Sequence, residues 1–123
     1  MYMKRTIFIL VIFLGGFLMA QEPVMTFEKT VHDFGKIKKG KPVSVEFVFT
    51  NTGKVPLILS EPRSNCGCTV PSYPKEPIMP GQKSKIVVTY DAEAEGNFTK
   101  QVTVFSNAEN SPIVLVVKGT VVP

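Results

Sequence analysis

Between Val43 and Thr50 the side chains alternate. Val43, Val45, Phe47 and Phe49 are apolar, with Ser44, Glu46 and Thr50 between and after them. A period of two sends successive side chains to opposite faces of an extended chain, so this segment has one face that must be covered and an edge on each side that must be paired. A lone strand satisfies neither need, and the rest of the chain has to supply the partners. Val55–Ser60 reads as a second extended apolar run after the Asn51-Thr52-Gly53 turn signal. Past Pro80-Gly81, residues 84–90 place Ile86, Val88 and Tyr90 on one face, and past Glu95-Gly96-Asn97 the run from Phe98 to Phe105 alternates Val102 and Val104 with Gln101 and Thr103. Ile113–Val122 follows the loop from Asn107 to Pro112. It is rich in β-branched residues and apolar on both faces at Val114 and Val116, which predicts a strand inside a sheet. One or two short strands are expected ahead of these, over Met25–Lys29 and Phe34–Ile37.

Six or seven short strands with turns between them, and no helical period after residue 20, predict an all-β sandwich of immunoglobulin-like type, with a small barrel as the alternative. Ten prolines and nine glycines fit such a turn-rich chain, and 123 residues leave room for one domain.

The first twenty residues follow a different logic. Lys4 and Arg5 precede an unbroken apolar run from Ile7 to Leu14, Gly15 and Gly16 break it, and Ala20 offers a small residue before Gln21. This is the order of a secretory signal peptide, so residues 1–20 are expected to be removed on export and residues 21–123 to form the mature domain. The apolar stretch is shorter than the ~20 residues of a spanning helix, so no membrane span is expected after cleavage. The expected location is the bacterial periplasm or the cell exterior. Removing Lys4 and Arg5 from fourteen basic residues leaves twelve against ten acidic ones, a balance of +2 that gives no reason to expect a nucleic-acid partner. Lys36, Lys38, Lys39 and Lys41 form the one basic cluster, expected on a solvated turn.

The series His32-Asp33-Phe34-Gly35-Lys36-Ile37, Phe47-Val48-Phe49-Thr50-Asn51-Thr52-Gly53, Pro56-Leu57, Cys66-Gly67-Cys68-Thr69, Pro80-Gly81, Tyr90 and Ser106-Asn107 resembles the bacterial family called domain of unknown function 1573. Its order and spacing also resemble the wider group of immunoglobulin-like domains related to the major sperm protein and the Hydin type. That resemblance implies a sandwich of about seven strands used to hold other proteins. The family's name assigns no biochemical role, so the resemblance bears on the fold rather than on the function.

Cys66-Gly67-Cys68 is the chemically pointed feature. In an exported chain two cysteines suggest a disulfide. A loop of three residues gives only about 1.6 kcal/mol of chain-entropy stabilisation, roughly half of the ~3 kcal/mol for a fifteen-residue loop. Gly67 lets the backbone bend enough to close the ring. Four roles are open at this stage: a local disulfide fixing the loop, with Gly67 and Thr69 as its support; thiol–disulfide exchange, for which Arg63 is the nearby positive residue; a soft-metal site for Cu(I), with Met79 as a third ligand; and a covalent bond to a partner protein. A structural zinc site lacks ligands, since His32 is the only histidine.

His32 beside Asp33 suggests a base, but nothing in the spacing brings it to Cys66, and no phosphate loop or paired-carboxylate motif is present. The chain is therefore expected to be non-enzymatic, binding another envelope or exported protein through its strand edges and the Cys-Gly-Cys loop. No cofactor is expected other than the Cu(I) alternative.

Overall fold

Residues 21–123 are described by the computed structural model; the signal peptide expected over residues 1–20 lies outside the described residues. Eight strands follow in order: β1 (Met25–Phe27), β2 (Val31–Lys38), β3 (Val43–Asn51), β4 (Arg63–Ser64), β5 (Thr69–Ser72), β6 (Lys83–Tyr90), β7 (Gly96–Val104) and β8 (Ile113–Val122). They form two separate four-stranded sheets, β1-β3-β6-β5 and β2-β8-β7-β4. Two open sheets make a sandwich, and the barrel alternative falls.

The alternation in β3 works as the sequence demands. Phe47 and Phe49 are fully buried, and β6 pairs with β3 from Val43↔Tyr90 to Thr50↔Lys83, which brings Ile86 and Val88 to the same covered face. Covering a phenylalanine in this way stabilises by about 1.5–3 kcal/mol. From the other sheet Val102, Val104, Leu115 and Val117 complete the main core. Tyr90, Ala92, Phe98 and Val121 form a second cluster, in which the Tyr90 and Phe98 rings stack 4.0 Å apart. β8 is paired on both sides, antiparallel to β7 and parallel to β2, as its β-branched content predicts.

Three local readings change. Val55–Ser60 is not a strand: Leu57 bridges to Ile78 and Leu59 to Ser106. The two leucines are buried, but their backbone partners belong to different segments, so no ladder can run along the stretch. Lys36 and Lys38 sit on β2, and only Lys39 and Lys41 lie on the turn. Asn51 is more than a turn former. It is fully buried, and its Nδ2 donates to the carbonyls of Val55 and Ile78, both at 2.9 Å, while Oδ1 accepts from Gly53 N–H.

Gly35 has φ +72 at the bulge in β2, where its N–H bonds Asp33 Oδ1. Its carbonyl approaches Gly119 so closely that a Cβ there would lie 2.8 Å from it and 2.9 Å from the Phe98 ring.

Candidate functional site

The segment between β4 and β5 carries the chain from one sheet to the other. β4 is two residues long and pairs with β7 through Arg63↔Thr103 and Ser64↔Val102, while β5 pairs with β6 beginning at Thr69↔Tyr90. At this corner Cys66 and Cys68 are joined by a disulfide with Cα atoms 5.3 Å apart. Gly67 at the tip is exposed, and a Cβ on it would meet nothing within 4 Å.

Hydrogen bonds to backbone carbonyls hold the corner. The Ser64 hydroxyl lies 2.7 Å from Cys66 O and 2.9 Å from Thr69 O, and Asp91 N–H donates to Cys68 O at 3.0 Å. Cys68 packs on the second cluster, against which Cys66 makes no packing contact. Thr69 is only 2% exposed, and its Oγ1 lies 3.8 Å from each sulfur. Tyr90, in register with Thr69, has its phenol pushed above the ordinary value by burial and by the Asp91 carboxylate.

The other expected site residues are not gathered here. Met79 stands before the far end of β6, tied to Gln82, so the length of that strand, about 23 Å at ~3.3 Å per residue, separates it from the corner. His32 lies on β2, at the opposite edge of its sheet from β4, three strand spacings or about 14 Å away. Its Nδ1 accepts from the Lys29 ammonium at 2.8 Å, and burial and that cation hold its pKa below the usual value against the opposing pull of Asp33. The Arg63 guanidinium lies 5.8 Å over the Phe105 ring, beside a depression lined by Ser60, Glu61 and Pro62. Among the described residues no three His, Cys, Asp or Glu side chains are grouped to hold a metal, and no helix is long and apolar enough to cross a membrane.

The brevity of β4 exposes a feature that sequence reading missed. Val116 N–H donates to Thr30 O and Val122 O accepts from Lys39 N, so the even-numbered residues of β8 turn their backbone groups toward the β2 side. Leu115, Val117, Gly119 and Val121 therefore bond β7 at Val102, Lys100, Phe98 and Gly96. Asn97, Thr99 and Gln101 must then direct their N–H and C=O groups outward, along a stretch that β4 does not reach. Every other edge carries a blocking device: β1 spans three residues, β2 has the bulge with Lys36 and Lys38, and β5 contains Pro71. On β7 the outward-bonding residues are uncharged, and the run has neither proline nor bulge. The uncharged alternation Asn97, Thr99, Gln101 was the available signal. Its partner Lys100 is half-buried on the core-facing side, with no ion pair among the described residues.

Two four-stranded sheets packed face to face define an all-β, immunoglobulin-like sandwich. The chain belongs to the family described as protein of unknown function (DUF1573), whose model matches residues 25–121. Among solved structures, it is similar to a protein of unknown function from Porphyromonas gingivalis W83 at 19% identity and TM-score 0.72, covering 88% of this chain. The chain spans about half of that protein, 51%. The PapD-like domain 7 of human CEP192 matches at TM-score 0.65 and 11% identity, covering 82% of this chain and 87% of that one. A chain of the CsuC–CsuE chaperone–tip adhesion subunit pre-assembly complex of Acinetobacter baumannii Csu pili matches at TM-score 0.59 and 13% identity, covering 79% and 51%. At these identities the likenesses show the fold alone. No curated protein matches the sequence.

Proposed function

We propose that the chain is an exported binding module, in the periplasm or at the cell exterior, that holds an extended segment of another envelope protein as an added strand along β7, an edge with no catalytic role. One observation carries the reading: the backbone groups of Asn97, Thr99 and Gln101 face outward beyond β4 with no blocking device on the outward-facing residues. The charge of Lys100 gives the edge a preference. Its ammonium has to leave the apolar layer through the open side, where a carboxylate on the incoming segment gains a charge-assisted bond. A second copy pairing through the same edge brings lysine against lysine, which disfavours self-association. The signal-like residues 1–20 support export, and the chaperone–tip adhesion subunit assembly of one fold relative supports a protein partner.

The test is photo-crosslinking in the producing cell from position 97, with and without Thr99→Pro. That proline removes an outward N–H and leaves the bonds to β8 in place. A cross-linked partner that disappears with the proline is expected, and a control position at Thr26 on β1 should capture none. No product at position 97, or one indifferent to the proline in a variant with native circular dichroism, refutes strand addition at this edge.

A further inference from the structure

We infer that the Cys66–Cys68 bond is an exchangeable disulfide that oxidises dithiols of other exported proteins, and that the Thr69 hydroxyl is its positioning residue, placed to hold the thiolate that exchange releases. The inference stands on the β4–β5 corner and is independent of the β7 edge.

Thr69 carries it. The hydroxyl of a residue only 2% exposed ordinarily has a good acceptor, yet among the described residues the Thr69 Oγ1 has no partner other than the two sulfurs, at 3.8 Å each. A disulfide sulfur is a weak acceptor. A thiolate is a strong one, and a hydrogen bond to a charged group is worth more than a neutral bond. The hydroxyl is therefore under-served while the pair is oxidised and well served once a sulfur carries charge, so the corner favours the reduced state more than a bare three-residue ring would. Its backbone is fixed meanwhile, by Ser64 Oγ at Cys66 O and Thr69 O and by Asp91 N–H at Cys68 O. A sulfur can leave without the loop having to rebuild.

The two sulfurs are not equivalent. Both cysteines are half-buried, but Cys68 packs on the cluster of Tyr90, Ala92, Phe98 and Val121 and Cys66 does not, so we take Cys66 as the sulfur attacked. A substrate thiolate attacks Cys66 Sγ, forming a mixed disulfide as the Cys66–Cys68 bond breaks, and the electron pair leaves on Cys68 Sγ, where Thr69 donates to it. The second substrate thiolate then attacks the substrate sulfur of the mixed disulfide and releases Cys66 as a thiolate. The substrate dithiol has lost two electrons and two protons to become a disulfide; the chain has gained both and holds two thiols.

The experiment equilibrates the purified, undenatured chain, Thr69→Val and Thr69→Ser with reduced and oxidised glutathione over a series of ratios, then traps and counts thiols by mass. In the wild type the pair is expected to be half-reduced within the series. Thr69→Val, which keeps the shape and loses the hydroxyl, should need about tenfold more reducing conditions, or about 30 mV. Thr69→Ser should stay within twofold of wild type. A reduced peptide bearing two cysteines, mixed with the oxidised chain, should recover one disulfide per pair of thiols that the chain gains. A wild-type pair that stays oxidised across the series, a valine variant within twofold of wild type, or a serine variant shifted as far as valine overturns the inference. If Thr69→Val loses the native circular dichroism, Thr69→Ala replaces it under the same criteria.

Discussion

Replacing Asn51 tests whether this sandwich depends on a buried polar brace at the end of β3. The side chain is fully buried and makes three hydrogen bonds, to Val55 O, Ile78 O and Gly53 N–H, which tie the β3 end, the following turn and the segment before β6 into one unit. Asn51→Ala removes all three. Ile78 O keeps its bond from Leu57 N–H, and Val55 and Gly53 are only half-buried, so water can reach them in part. At about 1 kcal/mol net for each bond, the loss should be about 3 kcal/mol, a large share of a typical domain's stability of ~5–15 kcal/mol. For a domain of this size that corresponds to a fall in Tm of about 12–24 °C. Asn51→Asp separates bonding from packing, because it keeps the shape but turns an acceptor toward two carbonyls from a fully buried position. It should cost more than alanine. Urea unfolding at pH 7, compared through ΔG at unchanged m, measures both. A cost below 1 kcal/mol for alanine, or aspartate no worse than alanine, would refute the bracing argument.

Gly119→Ala should destabilise by about 1–3 kcal/mol, because its Cβ would meet the Gly35 carbonyl and the Phe98 ring. Gly35→Ala, with open space but φ +72, should cost only the ~1–2 kcal/mol of the left-handed conformation; thermal melts compare the two. Cys66→Ser with Cys68→Ser should remain folded and lose no more than about 1.6 kcal/mol in urea, as a three-residue loop allows. His32, whose folded pKa is held below 6.5, binds fewer protons when folded, so its contribution is fully present above pH 6.5 and lost as pH falls through the lowered folded value. Stability measured from pH 7.5 to 5 should therefore decline, and His32→Gln should flatten that slope.

The class of fold was legible before any coordinates because strand periodicity is a local property. Phe47 and Phe49 share a face whichever strand pairs with them, and the β-branched residues Ile113, Val114, Val116 and Val117 imply flanking strands without saying which. The same locality explains where reading along the chain stopped. Val55–Ser60 has the composition of a strand, but whether it forms a ladder depends on partners at Ile78 and Ser106 that its own residues do not specify. Asn51 reads as a turn residue because its local geometry is one; its burial follows from two segments closing over it.

The candidate sites divide in the same way. The closeness of Cys66 and Cys68 comes from sequence spacing alone, and so does the small loop-entropy gain of bridging them. Met79 and His32 could be placed near that pair on paper, and it took the order of strands, with β6 running between Met79 and the corner and β2 at the opposite edge from β4, to separate them. The buried Thr69 hydroxyl facing both sulfurs and the open edge at Asn97, Thr99 and Gln101 were decided by tertiary structure, since each is set by where a neighbouring strand ends. Local chemistry fixed β3, β6, β7 and β8 and the reach of the two cysteines. What surrounds them, and so what they can do, depended on contacts between residues far apart in the chain.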